Sequence, residues 1–192
     1  MEFNNLYTDI VAGKAFNQEE DLQEGLLGRL ASGTALGLSL ATGTPDAEAK
    51  SNPSISQTAN QPSIDQKIQA FNNIFTKQQD KLINALIQVE SKGKDNAVGD
   101  HGDAVGPLQI HQEVVSDYNR WMKTNLKHEN MFDRKTAIEV CKKYLSVYGR
   151  EYIKKTGELP SVETLAKIWN GGPNGWKNPK TEAYSAKVLA YL

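Results

Sequence analysis

The chain has 192 residues, 39% hydrophobic and 23% charged, a balance that is ordinary for a globular protein with a sizeable core. Its net charge of -1, with no basic patch interleaved with aromatic residues, argues against a nucleic-acid-binding protein. Three histidines and the single Cys141 show no metal-ligand spacing, so we predict neither a metal centre nor another cofactor.

The N-terminal part differs in composition from the rest. Residues 1–42 are acidic at first and then apolar and rich in glycine, which makes them a candidate export or targeting segment. Ala47-Glu48-Ala49 fits a signal cleavage site, but the region before the apolar stretch is long and negative where a signal peptide is short and positive. An export signal, a propeptide or virion-targeting segment and a flexible apolar arm all stay open. Because of the many glycines, we expect no stable membrane span.

Residues 43–64 are rich in Ser, Asn, Gln and Pro and are predicted to be a flexible linker. A folded domain should follow over residues 65–192, with Ser63 as the N-cap of its first helix. Apolar residues at three- and four-residue steps predict a mainly α domain of about six helices, with at most a small β-ribbon at residues 93–108. The first predicted helix passes through Phe71 and Phe75, and the second ends at Glu90. The third and fourth cover His111–Asn125 and Asp133–Lys155. The fifth runs from Ser161 to the helix breaker at Gly171, and the sixth covers Thr181–Leu192.

Glu90 is the clearest candidate for a catalytic residue. It ends an apolar helix, where a carboxylate faces the negative end of the helix dipole and its protonated form is favoured. The dipole contributes only about 0.3–1 kcal/mol, so burial must supply most of any shift in the pKa. If Glu90 is a general acid, it must therefore lie in a partly desolvated cleft.

Three ordered motifs carry a resemblance to known families. Glu90-Ser91, the segment GPLQI at 106–110 and the segment IWNGGP at 168–173 resemble successive signatures of the soluble lytic transglycosylases and goose-type lysozymes. In those lysozyme-like families the segments contain E-S, G-L-M-Q-I or G-L-M-Q-V, and A-Y-N-A-G or A-Y-N-G-G-P. The resemblance covers roughly residues 65–192. It implies an α+β lysozyme-like fold around a glycan cleft, and cleavage of the β-1,4 bond between N-acetylmuramic acid and N-acetylglucosamine in peptidoglycan.

The same resemblance implies roles for single residues. Glu90 matches the catalytic acid, and Tyr184 matches a late tyrosine that contacts this acid. Pro107 and Trp169 depart from the pattern, since leucine and tyrosine are usual there. The implied substrate-binding residues are Ser91, Gln109, Trp169, Asn170, Gly171 and Tyr184.

The loop at residues 99–103 determines which mechanism the resemblance implies. A lytic transglycosylase uses one Glu as acid and then as base, and closes an anhydro ring with the muramic 6-hydroxyl. An inverting hydrolase needs a second carboxylate about 6.5–9.5 Å from the acid to activate water. Asp100 lies in a G-D-x-G segment similar to that of goose-type lysozymes and is the candidate base, with Asp103 in reserve. Their second aspartate, however, falls at His111 here.

We therefore predict a lytic transglycosylase, with two alternatives. One is a hydrolytic muramidase that uses Asp100 to position water, and the other is a non-catalytic glycan-binding virion protein. The expected partners are peptidoglycan glycan strands, with a phage particle or an export apparatus as a candidate assembly and no nucleic acid. The expected site of action is the bacterial cell wall, so the location would be periplasmic, extracellular or virion-associated.

Overall fold

Residues 61–192, which the computed structural model describes, form five α-helices and one three-stranded antiparallel sheet. The predicted class, a mainly α, lysozyme-like α+β fold, is confirmed. Within this part of the chain, no helix combines the length and apolar character that crossing a membrane requires. The predictions for residues 1–60, including the export segment and most of the linker, lie outside the described residues. The helices α1 to α5 span Ile64–Ser91, Gln112–Met122, Arg134–Thr156, Val162–Gly171 and Glu182–Leu189.

The first two predicted helices are one continuous helix, α1, of 28 residues. The expected break is absent because the segment contains neither Gly nor Pro. Its polar middle, from Thr76 to Lys81, remains helical and faces solvent. At its start, the Ser63 hydroxyl accepts from the Gln66 backbone N–H at 3.2 Å, and the Gln66 side chain accepts from the Ser63 N–H at 2.7 Å. This capping box confirms Ser63 as the N-cap.

Helix α3 lies against α1 and forms the centre of the core with it. Its N-cap is Asp133, the predicted first residue of the helix, and the Asp133 carboxylate accepts from the Thr136 N–H at 2.8 Å. Gly149 permits the close approach, because a Cβ there would lie 2.3 Å from the ring of Phe71 on α1. Cys141 is fully buried on α3 and is a packing thiol, as its apolar sequence context predicts.

The small sheet lies between α1 and α2 in the chain. Strands β1 (Val98–Gly99), β2 (Ala104–Val105) and β3 (Ile110–His111) pair in that order, so the ribbon continues three residues past its predicted end. Helix α2 then begins at Gln112 rather than His111, and the left-handed Lys123 ends it.

Helices α4 and α5 pack against each other after a tight return of the chain. The Ser161 hydroxyl accepts from the Thr164 N–H at 3.0 Å and caps α4. Gly175 makes the return possible, since a Cβ there would lie 2.0 Å from the Lys167 carbonyl oxygen on α4. The buried Thr181 hydroxyl donates to the Gly175 carbonyl at 2.9 Å. These contacts bring the start of α5 to the end of α4.

Candidate active site

The carboxyl group of Glu90 lies on the last turn of α1, where donors from α4 and α5 meet it. The Tyr184 hydroxyl donates to Glu90 Oε1 at 2.5 Å, and the Trp169 indole N–H donates to the same oxygen at 3.1 Å. Within residues 61–192, no donor bonds to Oε2 of Glu90. One oxygen of the carboxyl group is therefore held in place, and the other is available for a further contact.

Burial raises the pKa of Glu90 above its ordinary value. The hydrogen bonds from Tyr184 and Trp169 oppose this rise, because they favour the ionised form. The negative charge of Asp100 adds to the rise, and His111 opposes it. This is the partly desolvated environment that the sequence predicts for a general acid, and burial is its main cause. Burial and the charge of Glu90 also raise the pKa of Tyr184, so the Tyr184 hydroxyl keeps the proton it donates.

A cluster of aromatic rings fixes the Trp169 side chain. The Tyr144 ring meets Trp169 edge to face, with centroids 5.6 Å apart, and Tyr148 meets Tyr144 in the same way at 4.6 Å. Trp121 packs on Tyr148, with ring centroids 5.5 Å apart. Neither Tyr144 nor Tyr148 is among the site residues that the sequence predicts. Their spacing could have pointed to them, because they follow Cys141 at steps of three and four residues and therefore share one face of α3.

Ser91 follows Glu90 but is buried, and its hydroxyl bonds to the backbone. It donates to the Pro107 carbonyl at 2.8 Å and lies 3.2 Å from the Ile87 carbonyl, while the Lys94 N–H donates to it at 3.1 Å. The resemblance implies a contact of this hydroxyl with the acid or the sugar. Its observed contacts instead fasten the end of α1 to the loop that precedes Gln109.

Gln109 lies in that loop with a left-handed backbone, at φ 47°. Its side-chain amide donates to the Gly106 carbonyl at 2.9 Å. Gly99 on β1 makes room for it, because a Cβ there would lie 2.3 Å from Gln109 Oε1. The loop therefore holds Gln109 in one position, partly exposed.

We expect the glycine at 106 to be required for this loop. Gly106 has φ 79°, and a Cβ there would lie 2.0 Å from the Met131 carbonyl oxygen. Gly157 has φ 74°, and a Cβ there would meet no atom of residues 61–192 within 4 Å. Gly106→Ala should lower the free energy of unfolding by about 3 kcal/mol, and the matched Gly157→Ala by about 1 kcal/mol. Denaturant unfolding measures both values. Equal losses would show that the contact with Met131 does not constrain the loop.

The side chains of Asp100 and His111 are paired beside the sheet. Asp100 Oδ2 lies 3.1 Å from His111 Nε2, and the two side chains are 71% and 43% exposed. Asp100, His101 and Gly102 all have positive φ, at 45°, 57° and 109°. Asp103, the reserve candidate for a base, is exposed and contributes its backbone N–H to the Asp100 carbonyl at 3.1 Å.

Asn170 and Gly171 lie at the end of α4. Asn170 is exposed next to Trp169. A Cβ on Gly171 would lie 2.6 Å from the Thr181 methyl group, so this glycine allows the close packing of α4 on the segment before α5.

The structure thus gathers Glu90, Trp169 and Tyr184 into one hydrogen-bonded group, with Asp100 close enough to influence the pKa of Glu90. It joins Ser91 and Gln109 through the 106–107 turn, and Gly171 serves packing. Within residues 61–192, no group of three or more His, Cys, Asp or Glu side chains could hold a metal ion.

The family model for the transglycosylase SLT domain matches residues 68–191, which is more than half of the chain. Comparisons with curated proteins and with solved structures found no match. The hydrogen-bonded Glu90, Trp169 and Tyr184 all lie inside the matched range. The chain belongs to the transglycosylase SLT domain family, whose members are lytic transglycosylases that act on peptidoglycan.

Proposed function

We propose that this enzyme cleaves the β-1,4 bond between N-acetylmuramic acid and N-acetylglucosamine with Glu90 as its single acid and base. The observation that carries the proposal is the partly buried Glu90 carboxyl group, with one oxygen held by Tyr184 and Trp169. Its raised pKa favours the protonated form that a general acid needs at the start of the reaction.

In the first step, the Glu90 carboxyl group donates its proton to the oxygen that leaves with N-acetylglucosamine. Positive charge develops at C1 of the muramic residue as that bond breaks. The carboxylate left behind is stabilised by the Tyr184 hydroxyl and the Trp169 N–H, both aimed at Oε1. These donors favour the ionised form, so they act on the charge that appears as the proton leaves.

In the second step, the Glu90 carboxylate accepts the proton of the muramic 6-hydroxyl while that oxygen bonds to C1. A 1,6-anhydro ring forms, Glu90 is protonated again, and no water is consumed. The same group thus serves both steps. Asp100, the other candidate base, is paired with His111 through its Oδ2 atom.

The remaining candidate site residues fall into two groups according to what their side chains contact. We propose Trp169, Asn170 and Gln109 as substrate contacts, because they are partly or fully exposed around Glu90 or in the loop joined to it. Ser91 and Gly171 are proposed as positioning residues, since their contacts are with the protein itself.

A hydrolytic muramidase is the second candidate function. It is favoured by the negative charge of Asp100, which adds to the rise in the pKa of Glu90. The non-catalytic alternative is set aside because the family consists of enzymes. The site of action is the cell wall. Delivery through an export signal or a phage particle stays a prediction from residues 1–42.

The two candidate functions differ in the muramic ends that cleavage leaves on the glycan strands. We expect the wild-type protein to clear a suspension of purified peptidoglycan without a matching rise in reducing ends, because the anhydro ring has no free C1 hydroxyl. Reducing ends are measured colorimetrically in the same samples. A rise in step with clearing would support the hydrolase and contradict the proposal.

A further inference from the structure

We propose that His111 is a positioning residue that determines which nucleophile completes the reaction, because it holds Asp100 in a pair that keeps this carboxylate from activating water. The inference rests on the proposed function, in which Glu90 is the acid. It deepens that function by naming the group that selects the muramic 6-hydroxyl over water.

The sheet register places the two residues together. Gly99 on β1 pairs with Ala104 on β2, and Ala104 pairs with His111 on β3. Asp100 follows Gly99 directly, so it leaves the sheet at the same end at which His111 lies. The 3.1 Å contact between Asp100 Oδ2 and His111 Nε2 closes that end.

The backbone of the turn is strained, and the pair helps to hold it. Asp100 and His101 are non-glycine residues in the left-handed region, which costs free energy and persists only where the surroundings fix it. The Asp103 N–H to Asp100 carbonyl bond closes the turn along the backbone, and the His111 imidazole holds the Asp100 side chain. The Asp100 carboxylate is thereby directed at His111.

The pair belongs to the surroundings of Glu90. Asp100 and His111 influence the pKa of Glu90 in opposite directions, so both side chains lie within electrostatic reach of the acid. Two other titratable side chains, His128 and Glu113, lie on or next to these elements. His128 Nε2 lies 2.7 Å from the Ile110 carbonyl oxygen, and Glu113 stands in the first turn of α2.

The chemical consequence concerns water. In hydrolysis, a water oxygen bonds to C1 while a carboxylate takes its proton, and Glu90 gives its own proton to the leaving oxygen. The contact at Oδ2 turns the Asp100 carboxylate toward the His111 imidazole. Removal of the imidazole would free the carboxylate to turn and accept the proton from water. The pair therefore biases the reaction toward the 6-hydroxyl and the anhydro product.

The test compares the products of wild-type protein, His111→Ala and the double variant Asp100→Asn/His111→Ala on purified peptidoglycan. The measured quantity is the ratio of reducing to anhydro muramic ends, by liquid chromatography and mass spectrometry. We expect His111→Ala to raise this ratio by up to about fivefold, which corresponds to the roughly 1 kcal/mol that an exposed polar pair can contribute at most. The double variant should return to the wild-type ratio, since no carboxylate is then released.

Two further variants separate this effect from a structural one. His111→Gln retains an N–H donor and should keep the ratio near the wild-type value. His101→Ala changes an exposed histidine in the same turn, leaves the pair intact and should not alter the ratio. Unfolding curves identify any variant that fails to fold, and because His111 is partly exposed, we expect each to fold.

An unchanged ratio in His111→Ala would overturn the role of His111 while leaving the proposed function intact. A raised ratio that persists in the double variant would also overturn it, because Asp100 would not then be the base. A wild-type enzyme that releases mainly reducing ends would instead contradict the proposed function, and with it the idea that His111 withholds Asp100 from water.

Discussion

Replacement of Glu90 by Gln is expected to slow peptidoglycan cleavage by about 10²–10⁴-fold, the contribution of a positioned general acid. The amide cannot donate the proton that the leaving oxygen needs or accept the one from the 6-hydroxyl. The rate of clearing of a wall suspension measures the loss. Glu139→Gln, a change of an exposed acid on α3, is the matched control and should keep full activity. If Glu90→Gln kept most of the activity, Glu90 would not be the acid.

The same variant should remain folded, because its amide oxygen can accept the bonds from Tyr184 and Trp169. Its stability also has an expected pH dependence. The unfolded carboxyl group loses its proton near the ordinary pKa of 4.5, and the folded one keeps its proton to a higher pH. In that window the folded state binds more protons, so wild-type stability falls as the pH rises. Glu90→Gln has no carboxyl group to titrate at this position, so its stability should not fall in this way. It should be at least as stable as the wild type at neutral pH.

Replacement of Tyr184 by Phe is expected to move the basic limb of the pH profile of kcat/KM to higher pH. The Tyr184 hydroxyl favours the ionised form of Glu90, so its loss raises the pKa of Glu90 further. The rate at the optimum should fall about tenfold, because a hydrogen bond to a charged group stabilises it by about 1.5–3 kcal/mol.

Two companion variants sharpen the Tyr184 prediction. Trp169→Phe removes the other donor to Oε1 and should shift the profile in the same direction. Tyr191→Phe changes an exposed tyrosine at the end of the chain and should shift nothing. A Tyr184→Phe profile that coincides with the wild type would show that this bond does not control the acid.

The features that the sequence predicted well are local ones. Helix faces follow from the spacing of apolar residues, and the caps at Ser63, Asp133 and Ser161 follow from side chains that bond to a backbone N–H three residues on. The continuous α1 was missed because a polar stretch resembles a loop in composition. Where the middle of a helix faces solvent, a polar stretch is compatible with a continuous helix.

The geometry of the candidate site depends on contacts between distant residues. Tyr184 and Trp169 meet Glu90 across 94 and 79 residues of sequence, and no local pattern states that both bond to the same oxygen. The resemblance identified Tyr184 as a partner of the acid. Trp169 stands where the family usually has a tyrosine, and its indole N–H supplies a donor in place of the tyrosine hydroxyl. The pairing of Asp100 with His111 depends on the left-handed turn and the strand register, which composition does not encode.

Mass spectrometry of the fragments that the wild-type protein releases from purified peptidoglycan tests the central claim most directly. If Glu90 serves as both acid and base, the muramic ends will carry the 1,6-anhydro ring and be lighter by one water than reducing ends. Glu90→Gln should release almost none of these fragments. Reducing muramic ends as the main wild-type product would contradict the account, because water rather than the sugar's own hydroxyl would then have completed the reaction.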